Sequence, residues 1–523
     1  MATDVLSLLR PFSLQHRLPN IYSSPRVASC SSPMMMTLQV PCSVSVETST
    51  LTAARRSVNY QPTTWNYSHL QSLQTDQVVS GNIQRQSNRA GGRGYRFEDD
   101  IRKALGRYVS MGGLDVLTEN NLRATSLGFR ILRQHGYQVS HDVFIKFTDQ
   151  NGKFKRILKE DIKGILSLYE ASFLAFDGEQ ILDEAKKFTT LHLNTLRENT
   201  GKNWQLLAVE VNHALELPLH RRTPRLEARW HIETYQERKD ADQELLELAV
   251  TDFNMVQSVY QTELRDLSRW WMNMGLANKL SFARDRIAEC FYWAVGMIFE
   301  PQYSYCRKGL TKVASFITIL DDVYDVYGTL DELVLFTDAV ERWDVNAINE
   351  LPDYMQLCFL ALYNTTNEMA YHILKQNGEN ILPYLTKAWA DLCKLFLQEA
   401  KWLYTNSTPT FEDYLENAWM SVSGPLLLVH ANLLLGKKTS KEELERLEEY
   451  HDLLRWPSTI FRLCNDLVSS SELEKGAIEF YMRETGVSKE LAQKLLHHLI
   501  DQTWKKMNKE RIDHETFFFK SFY

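Results

Sequence analysis

At 523 residues the chain is longer than one ordinary domain, and this length suggests two or three cooperating units. Hydrophobic residues make up 44% and aromatic residues 11% of the chain, which supplies a large core and excludes global disorder. The net charge is −7, with no long basic block and no apolar run near the roughly 18 residues that span a bilayer, so neither nucleic acid nor a membrane is expected as a partner.

The first 50 residues differ in composition from the rest. They contain ten serines, five prolines and three arginines, but no lysine and only two acidic residues, Asp4 and Glu47. They lack a compact apolar core followed by a small-residue cleavage site. This composition is typical of an organelle transit peptide rather than a secretory signal, with an ordinary disordered tail as the alternative. We predict a plastid transit peptide over residues 1–54 and therefore a chloroplast location.

Beyond residue 95 the apolar residues recur with the spacing of helices. The stretch "DIKGILSLYEASFLAF", for example, places four apolar residues on one helical face, namely Ile162, Ile165, Leu166 and Tyr169. Alternation typical of strands is almost absent, so we predict an all-α fold. Prolines and arginines in "LPLHRRTPRLEARW" interrupt two helical stretches. We therefore predict two helical domains, over residues 55–230 and 231–523.

An apolar stretch ends in three aspartates, in "ITILDDVYDVYG". On a helix Asp321 and Asp325 are four positions apart, so both carboxylates point to the same side. The small residues Thr318 and Ala314 lie one and two turns below them. Clustered carboxylates repel one another unless a cation compensates them, and Mg²⁺ prefers hard oxygen ligands completed by water and phosphate. The pattern predicts a magnesium site at Asp321, Asp322 and Asp325, with a solvated helix end as the alternative.

A second cluster lies in "FRLCNDLVSSSELEKG", where Asn465 and Ser469 are four positions apart and Glu472 follows three positions later. Arg462 precedes Asn465 by one turn on the same side. Oxygen ligands beside a guanidinium suit a metal ion that carries a diphosphate. We predict that Asn465, Ser469 and Glu472 bind metal, although this stretch alone also fits an ordinary polar helix face.

A third cluster, "FARDR", places Arg284 and Arg286 shortly before the aspartates. Planar guanidinium groups bind phosphate oxygens in pairs and keep their charge at any working pH. Surface salt bridges are the alternative for these two residues. The three clusters in one helical domain nevertheless favour a metal-dependent diphosphate site.

The three clusters together resemble those of class I terpene synthases, and the chain resembles plant monoterpene synthases almost throughout. The resemblance rests on the order of RDR, DDVYD and NDLVS. It also rests on "RRSVNYQPTTW", in which eight residues separate Arg56 from Trp65, and on stretches such as "YGTLDELVLFTDAVERWD". From "YRFEDDIRKAL" onward the chain is most similar to the branch that contains isoprene synthases and acyclic monoterpene synthases such as ocimene synthase.

The resemblance implies an N-terminal α-barrel-like domain and a C-terminal class I terpenoid synthase fold. It implies three Mg²⁺ ions, with Mn²⁺ as the alternative ion, around the diphosphate of geranyl diphosphate. Three arginines are implied as direct partners of that diphosphate, namely Arg284, Arg286 and Arg462. The residues implied to line the substrate pocket are Trp293, Ala314, Thr318, Val422 and Phe461, although both aromatic rings also fit plain core.

Isoprene synthases of this branch carry phenylalanine at the position that matches Ala314, so a methyl group there predicts a deeper pocket and a ten-carbon substrate. We expect a monomeric lyase that forms an acyclic monoterpene such as ocimene or myrcene, with isoprene or farnesene synthase as the alternative.

A chain-elongating prenyl synthase would need a second aspartate-rich motif, and a class II cyclase would need a D-x-D-D motif; neither motif is found in the sequence. The seven cysteines form no C-x-x-C pair, which argues against a zinc site.

The chain departs from the family pattern in three places. Residues 75–94 are rich in glycine where family members carry a helix hairpin, and Leu473 stands where the family has its metal-binding glutamate. The chain also stops at "HETFFFKSFY", where the family continues through two more helices and a closing loop. These departures predict a truncated enzyme with weak or no activity, and they leave a non-catalytic remnant or a mis-assembled gene product as the alternative.

Overall fold

The structure, a computed structural model, describes residues 55–56, 58, 60–73, 97–114, 120–198, 205–469 and 476–513. Within these ranges the long elements are all helices, and the only β feature is one antiparallel bridge between Thr148 and Phe154. The all-α prediction is confirmed. None of the helices in the same ranges is both long enough and apolar enough to cross a bilayer.

The helices of the N-terminal part pack around their own apolar core. Their bounds are α1 Tyr67–Gln71, α2 Glu98–Ser110, α3 Leu122–Gln134, α4 Ile162–Ser172, α5 Gln180–Glu198 and α6 Gln205–Glu216. Helix α4 lies between α3 and α5. The fully buried side chains of this core include Phe129, Phe144 and Leu168. On the predicted apolar face of α4, Ile165 and Tyr169 are buried, and Ile162 and Leu166 are half-buried.

The helices are interrupted between Glu216 and Pro224, which is the first part of the predicted stretch 217–230. Helix α6 ends at Glu216, a short 3-10 turn spans Leu219–Arg221, and α7 covers Pro224–Gln236. Pro224 stands in the first turn of α7, where its missing N–H costs no helical hydrogen bond. Helix α7 runs unbroken through residue 230, and the exact domain limit stays a prediction.

The C-terminal part contains the predicted site. Its helices are α8 Gln243–Met274, α9 Leu276–Lys279, α10 Ile287–Met297, α11 Ser304–Asp322, α12 Leu330–Arg342, α13 Asp353–Asn377, α14 Leu382–Tyr404, α15 Phe411–Ser421, α16 Gly424–Leu434, α17 Lys441–Glu448, α18 Asp452–Val468, α19 Ala477–Thr485 and α20 Lys489–Asp513. Helix α11 is central and packs against α10 and α16. Gly309 allows the close approach of α16, since a Cβ there would lie 2.6 Å from a methyl group of Leu434.

Residues 55–73, here called the N-terminal strap, pack against the C-terminal part. Leu70 is buried in the core that α8 and α11 share, and the Tyr67 hydroxyl donates to Asp285. Arg265 of α8 donates to the Leu73 carbonyl at 3.2 Å. The sequence assigned this segment to the N-terminal domain, but Leu70 is buried in the core of the C-terminal part.

Candidate active site

Helix α11 carries the three aspartates at its C-terminal end. Its α-helical hydrogen bonding ends at Asp322, and residues Val323–Tyr327 continue as one π-helical turn, a rare element that is frequent at functional sites. Asp325 is open to solvent and Asp321 is partly exposed, whereas Asp322 is fully buried. The three carboxylates therefore do not have equal access to a ligand.

Arg284 holds two of the three aspartates. Its backbone N–H donates to Asp322 Oδ2 at 2.6 Å, its Nε donates to Asp322 Oδ1 at 2.8 Å, and its Nη2 contacts Asp321. Both oxygens of Asp322 are thus occupied inside the protein, which does not suit the predicted role of Asp322 as a direct metal ligand. We propose Asp321 and Asp325 as the ligands of this cluster, with Asp322 as the anchor of Arg284.

Glu399 of α14 is a further acidic residue of the site that sequence reasoning did not find. Its Oε1 accepts hydrogen bonds from Asn417 at 2.9 Å and from Ser421 at 2.6 Å. It interacts electrostatically with Asp325 on one side and with Arg462 on the other. Glu399 therefore connects the aspartate cluster of α11 to the second predicted cluster on α18.

Burial and nearby carboxylates raise the pKa of two acidic groups of the site, Asp325 and Glu399. Asp325 is accessible to solvent, but many protein atoms lie around it and remove part of its hydration. This desolvation raises its pKa well above the ordinary value, and the charges of Asp321 and Glu399 raise it further. Burial also raises the pKa of Glu399, against a hydrogen bond from Ser421 and the charge of Arg462. A carboxylate cluster of this kind is stabilised by a cation.

The second cluster lies at the end of α18, where three of its predicted residues form hydrogen bonds with one another. Arg462 donates to Asn465 Oδ1 at 3.1 Å, and the Ser469 hydroxyl donates to the same oxygen at 2.7 Å. The helix ends at Val468 with Ser469 as its C-cap, because serines compete with the helix for backbone hydrogen bonds. The predicted ligand Glu472 lies outside the described residues.

Asp466, which follows Asn465, is a buried residue that supports the site. It pairs with Arg462, accepts a hydrogen bond from the Tyr414 hydroxyl at 3.0 Å, and accepts another from the Ala477 N–H at 3.0 Å. The residue before Ala477 is Gly476, where a Cβ would lie 3.1 Å from the Asp466 carboxyl carbon. Asp466 therefore fixes the direction of Arg462 and the start of α19 together.

Arg286 does not join the aspartates. Its guanidinium donates to the carbonyl of Asp285 at 2.8 Å and to the carbonyl of Gln61 in the N-terminal strap at 2.6 Å. The strap also places the ring of Tyr60 5.0 Å from the guanidinium of Arg284. Both arginines of the RDR motif are thus in contact with the strap, and only Arg284 touches the carboxylates.

The predicted pocket residues fall into two groups by exposure. Ala314, Thr318 and Val422 are 4%, 8% and 7% exposed, and the Thr318 hydroxyl is satisfied by the Ala314 carbonyl at 2.9 Å. Trp293 and Phe461 are 43% and 45% exposed. Aromatic rings of the core are rarely so accessible, which argues against the alternative that both rings are plain core.

The donor set fits a hard divalent cation. The proposed ligands are carboxylate, amide and hydroxyl oxygens, which suit Mg²⁺ better than a softer metal. In the described ranges no group of three or more His, Cys, Asp or Glu side chains is already arranged to hold a metal ion. If Asp321 binds a cation, that cation would replace Arg284 beside it, and water and a diphosphate would complete the coordination.

Comparison with known proteins identifies the family. Residues 272–506 match "Terpene synthase family, metal binding domain", and residues 92–215 match "Terpene synthase, N-terminal domain". A chloroplastic isoprene synthase from Populus alba is 57% identical over 548 aligned residues, which cover 98% of this chain and 91% of that protein. The chain belongs to the terpene synthase family.

Two further relatives support this terpene synthase assignment. A chloroplastic myrcene synthase from Quercus ilex is 49% identical over 490 residues, covering 87% of this chain and 81% of that protein. The crystal structure of isoprene synthase from grey poplar (Populus x canescens), in complex with three Mg²⁺ ions and dimethylallyl-S-thiolodiphosphate, matches with a TM-score of 0.77 and 57% identity, covering 88% of this chain and 92% of that one. The predicted family, fold and enzyme class are confirmed, whereas this coverage lends no support to the predicted truncation.

Proposed function

We propose that this terpene synthase works in the plastid and ionises geranyl diphosphate to an acyclic monoterpene in a magnesium-dependent reaction. The choice of a ten-carbon substrate rests on Ala314, whose buried methyl group stands where isoprene synthases of this branch carry a phenyl ring. By that resemblance, a methyl group in place of the ring would leave space for a second isoprene unit, and a hydrophobic pocket discriminates such differences by about 1–3 kcal/mol per methylene. The plastid location is supported by the leader composition and by the chloroplastic relatives.

The two oxygen clusters would hold the metal ions between them. The proposed ligands are Asp321, Asp325, Glu399, Asn465 and Ser469, with Glu472 retained as a further candidate. When bound, Mg²⁺ neutralises the diphosphate oxygens and makes the diphosphate a better leaving group. Three ions are proposed because the similar poplar structure contains three, and Mn²⁺ remains the alternative.

Arg284 and Arg462 would bind the diphosphate directly, because each already touches a proposed metal ligand. When the allylic C–O bond breaks, its electron pair leaves with the diphosphate, and two guanidinium groups aimed at those oxygens stabilise the new charge. Arg286 would first hold the N-terminal strap through the Gln61 carbonyl. Its predicted direct contact with the diphosphate requires that this hydrogen bond be released.

The exposed rings of Trp293 and Phe461 would stabilise the carbocation. An aromatic face attracts a cation that lies within about 6 Å of the ring centre, and more strongly where water is excluded. The buried group of Ala314, Thr318 and Val422 would keep water, which converts the cation to an alcohol, away from it. This lining suits an acyclic hydrocarbon product better than an alcohol.

The test is gas chromatography of the products that the leader-trimmed protein releases with Mg²⁺. Geranyl, dimethylallyl and farnesyl diphosphates are supplied separately and in competition. We expect turnover mainly of geranyl diphosphate, with an acyclic hydrocarbon as product. A mainly bicyclic product, or turnover of farnesyl diphosphate alone, would contradict the proposal.

Isoprene synthase is the second candidate, because isoprene synthases are 57% identical over nearly the whole chain. The two candidates are separated by Ala314→Phe. We expect this variant to lose geranyl diphosphate turnover and to shift toward dimethylallyl diphosphate, since the new ring shortens the pocket. If the wild-type protein already releases mainly isoprene, the second candidate replaces the first; Ala314→Val is the control, because it adds far less volume.

A further inference from the structure

A cavity distant in sequence from the aspartates lies between α7 and α8. Its volume is about 420 Å³, which falls in the range of roughly 300–1,000 Å³ that small-molecule sites occupy. Its wall is mainly apolar, and the apolar residues that form it include Ile232, Leu246, Ala249, Phe253 and Phe299. No motif of the catalytic site contributes to this cavity.

The cavity wall also contains Arg225, which is only 4% exposed. One of its Nη atoms donates to the Phe253 carbonyl at 3.3 Å, and the guanidinium carbon lies 4.5 Å from the centre of the Phe253 ring. Its Nε has no hydrogen-bond partner. Within the described part of the chain no carboxylate forms an ion pair with it, so Arg225 is a buried cation without an anion.

Such an arrangement is costly for the protein alone. A buried charge without a partner destabilises a fold by several kcal/mol, and an apolar contact with a ring does not replace the lost hydration. Asp252 is the acidic residue on the cavity wall, but the structure shows no ion pair between it and Arg225. An anion bound in the cavity would pair with Arg225 and compensate its charge.

A second buried polar group lies close by on α8. Gln257 is one turn beyond Phe253 on the same helix face, is 1% exposed, and has no hydrogen-bond partner for either its amide nitrogen or its amide oxygen. Buried polar atoms are almost always paired with protein, water or a ligand. Gln257 itself does not line the cavity, so the argument for a bound molecule rests on Arg225, which does.

We propose that this cavity is a second ligand site, which binds an amphipathic anion: a carboxylate or phosphate on an apolar chain of about eight to ten carbons. The anionic group pairs with the guanidinium of Arg225, and the chain lies against Ile232, Leu246 and Ala249. A fatty acid and a prenyl phosphate share this chemistry. The site is independent of the proposed reaction, because it uses none of its residues.

The test is isothermal titration calorimetry of the full chain in buffer that contains EDTA, so that no divalent ion supports binding at the catalytic site. The probes are decanoate and geranyl monophosphate, with decanol as the uncharged control. We expect at least one anionic probe to bind with one site per chain, and decanol to bind about tenfold to a hundredfold more weakly, as expected for the loss of a charge-assisted hydrogen bond. The probe that binds more tightly identifies the source of the ligand.

Three variants make the result specific to this cavity. Arg225→Met removes the charge and Ala249→Trp fills the space, so each should weaken binding at least tenfold, whereas Asp325→Asn at the catalytic site should leave binding unchanged. Arg225→Met should also raise the midpoint of thermal unfolding without ligand, because it removes an unpaired buried cation. A purely structural Arg225 would give the opposite shift.

The proposal is overturned if neither anionic probe binds the wild-type protein, or if both cavity variants bind the probes as tightly as wild type. It is also overturned if Asp325→Asn abolishes binding, because the probes would then occupy the catalytic site. If Arg225→Met does not fold, probe binding is compared between the wild-type protein and Ala249→Trp alone. A loss of catalysis with intact probe binding would affect the proposed function and not this site.

Discussion

Asp322 and Asp325 are three positions apart, yet their surroundings are opposite. Asp322 is fully buried with both oxygens bound by Arg284, whereas Asp325 is open to solvent and lies beside the carboxylates of Asp321 and Glu399. The first aspartate therefore stabilises the fold, and the second is accessible to a cation. The two roles predict different consequences of mutation.

Asp322→Ala should lower the free energy of unfolding by about 3 kcal/mol, because it leaves Arg284 partly buried without its main anion. Asp325→Asn should leave the free energy of unfolding unchanged or raised, since it removes repulsion from Asp321 and Glu399. Turnover should fall about a hundredfold or more in Asp325→Asn. Urea denaturation and product assays measure the two effects. Equal losses of stability in both variants would contradict the distinction.

For individual residues of the candidate site, the local spacing in the sequence led to a prediction in some cases and not in others. The four-residue spacing of Asp321 and Asp325 led to their prediction as ligands, although Asp325 lies in the π-helical turn that follows α11; the spacing of Arg462 and Asn465 likewise placed those two residues on one side of α18. Glu399 could not, because "LQEAKW" in α14 carries no pattern that separates a site carboxylate from a surface one. Its role depends on packing between α14 and α15.

The N-terminal strap is the element whose location the sequence did not reveal. The arginine pair was recognised as a motif, but only the fold shows that Arg55 binds Glu332 at the start of α12 with two hydrogen bonds, of 2.8 and 2.7 Å. The guanidinium also lies over the rings of Tyr327 and Tyr354. Tyr60 and Gln61 of the same strap contact the two RDR arginines. The contact of Arg55 with Glu332 therefore holds the strap beside these arginines.

Arg55→Lys should therefore affect turnover more than stability. Lysine keeps the charge but cannot make the paired hydrogen bonds with Glu332. We expect turnover to fall about tenfold, while the free energy of unfolding changes by less than about 1 kcal/mol, because the ion pair is partly exposed. Arg102→Lys, in the exposed pair with Glu98, is the matched control. Unchanged turnover in Arg55→Lys would show that the strap does not depend on this contact.

Across the whole molecule, polar contacts join the N-terminal and C-terminal parts. Asn508 of α20 donates to the carbonyls of Phe173 and Ala175 at 3.0 and 3.1 Å, and its oxygen lies 2.8 Å from His220 Nε2. Burial lowers the pKa of His220 to about 3, so the ring is neutral and donates this hydrogen bond. The all-α class and the interruption before α7 were predictable from local patterns, whereas this docking of α20 joins residues far apart in the sequence.

Glu170 makes the stability of the whole chain depend on pH. It accepts a hydrogen bond from the Leu219 N–H at 2.9 Å, and burial raises its pKa from an ordinary 4.5 to about 7, against this bond and the charge of Arg130. Between these values the folded chain retains a proton that the unfolded chain has lost, so this residue's contribution to stability decreases as pH rises from about 4.5 to 7. Above pH 7 the contribution levels off.

Glu170→Gln keeps an acceptor for Leu219 but cannot ionise. We expect a flatter profile of stability against pH and a free energy of unfolding about 1–3 kcal/mol above wild type at pH 8. Urea denaturation at pH 5, 6, 7 and 8 measures both profiles. Parallel profiles would show that Glu170 titrates near its ordinary pKa in the folded chain.

The central claim is that the oxygen clusters of α11 and α18 hold metal ions that support ionisation of a prenyl diphosphate. The most direct test follows inorganic diphosphate released from geranyl diphosphate by the leader-trimmed protein, while Mg²⁺ is titrated from zero to saturation. We predict release that requires Mg²⁺ in the wild-type protein and that falls about a hundredfold or more in Asp325→Asn and in Asn465→Ala, with both variants folded. Release that needs no divalent ion, or that is equal in all three proteins, would contradict the claim.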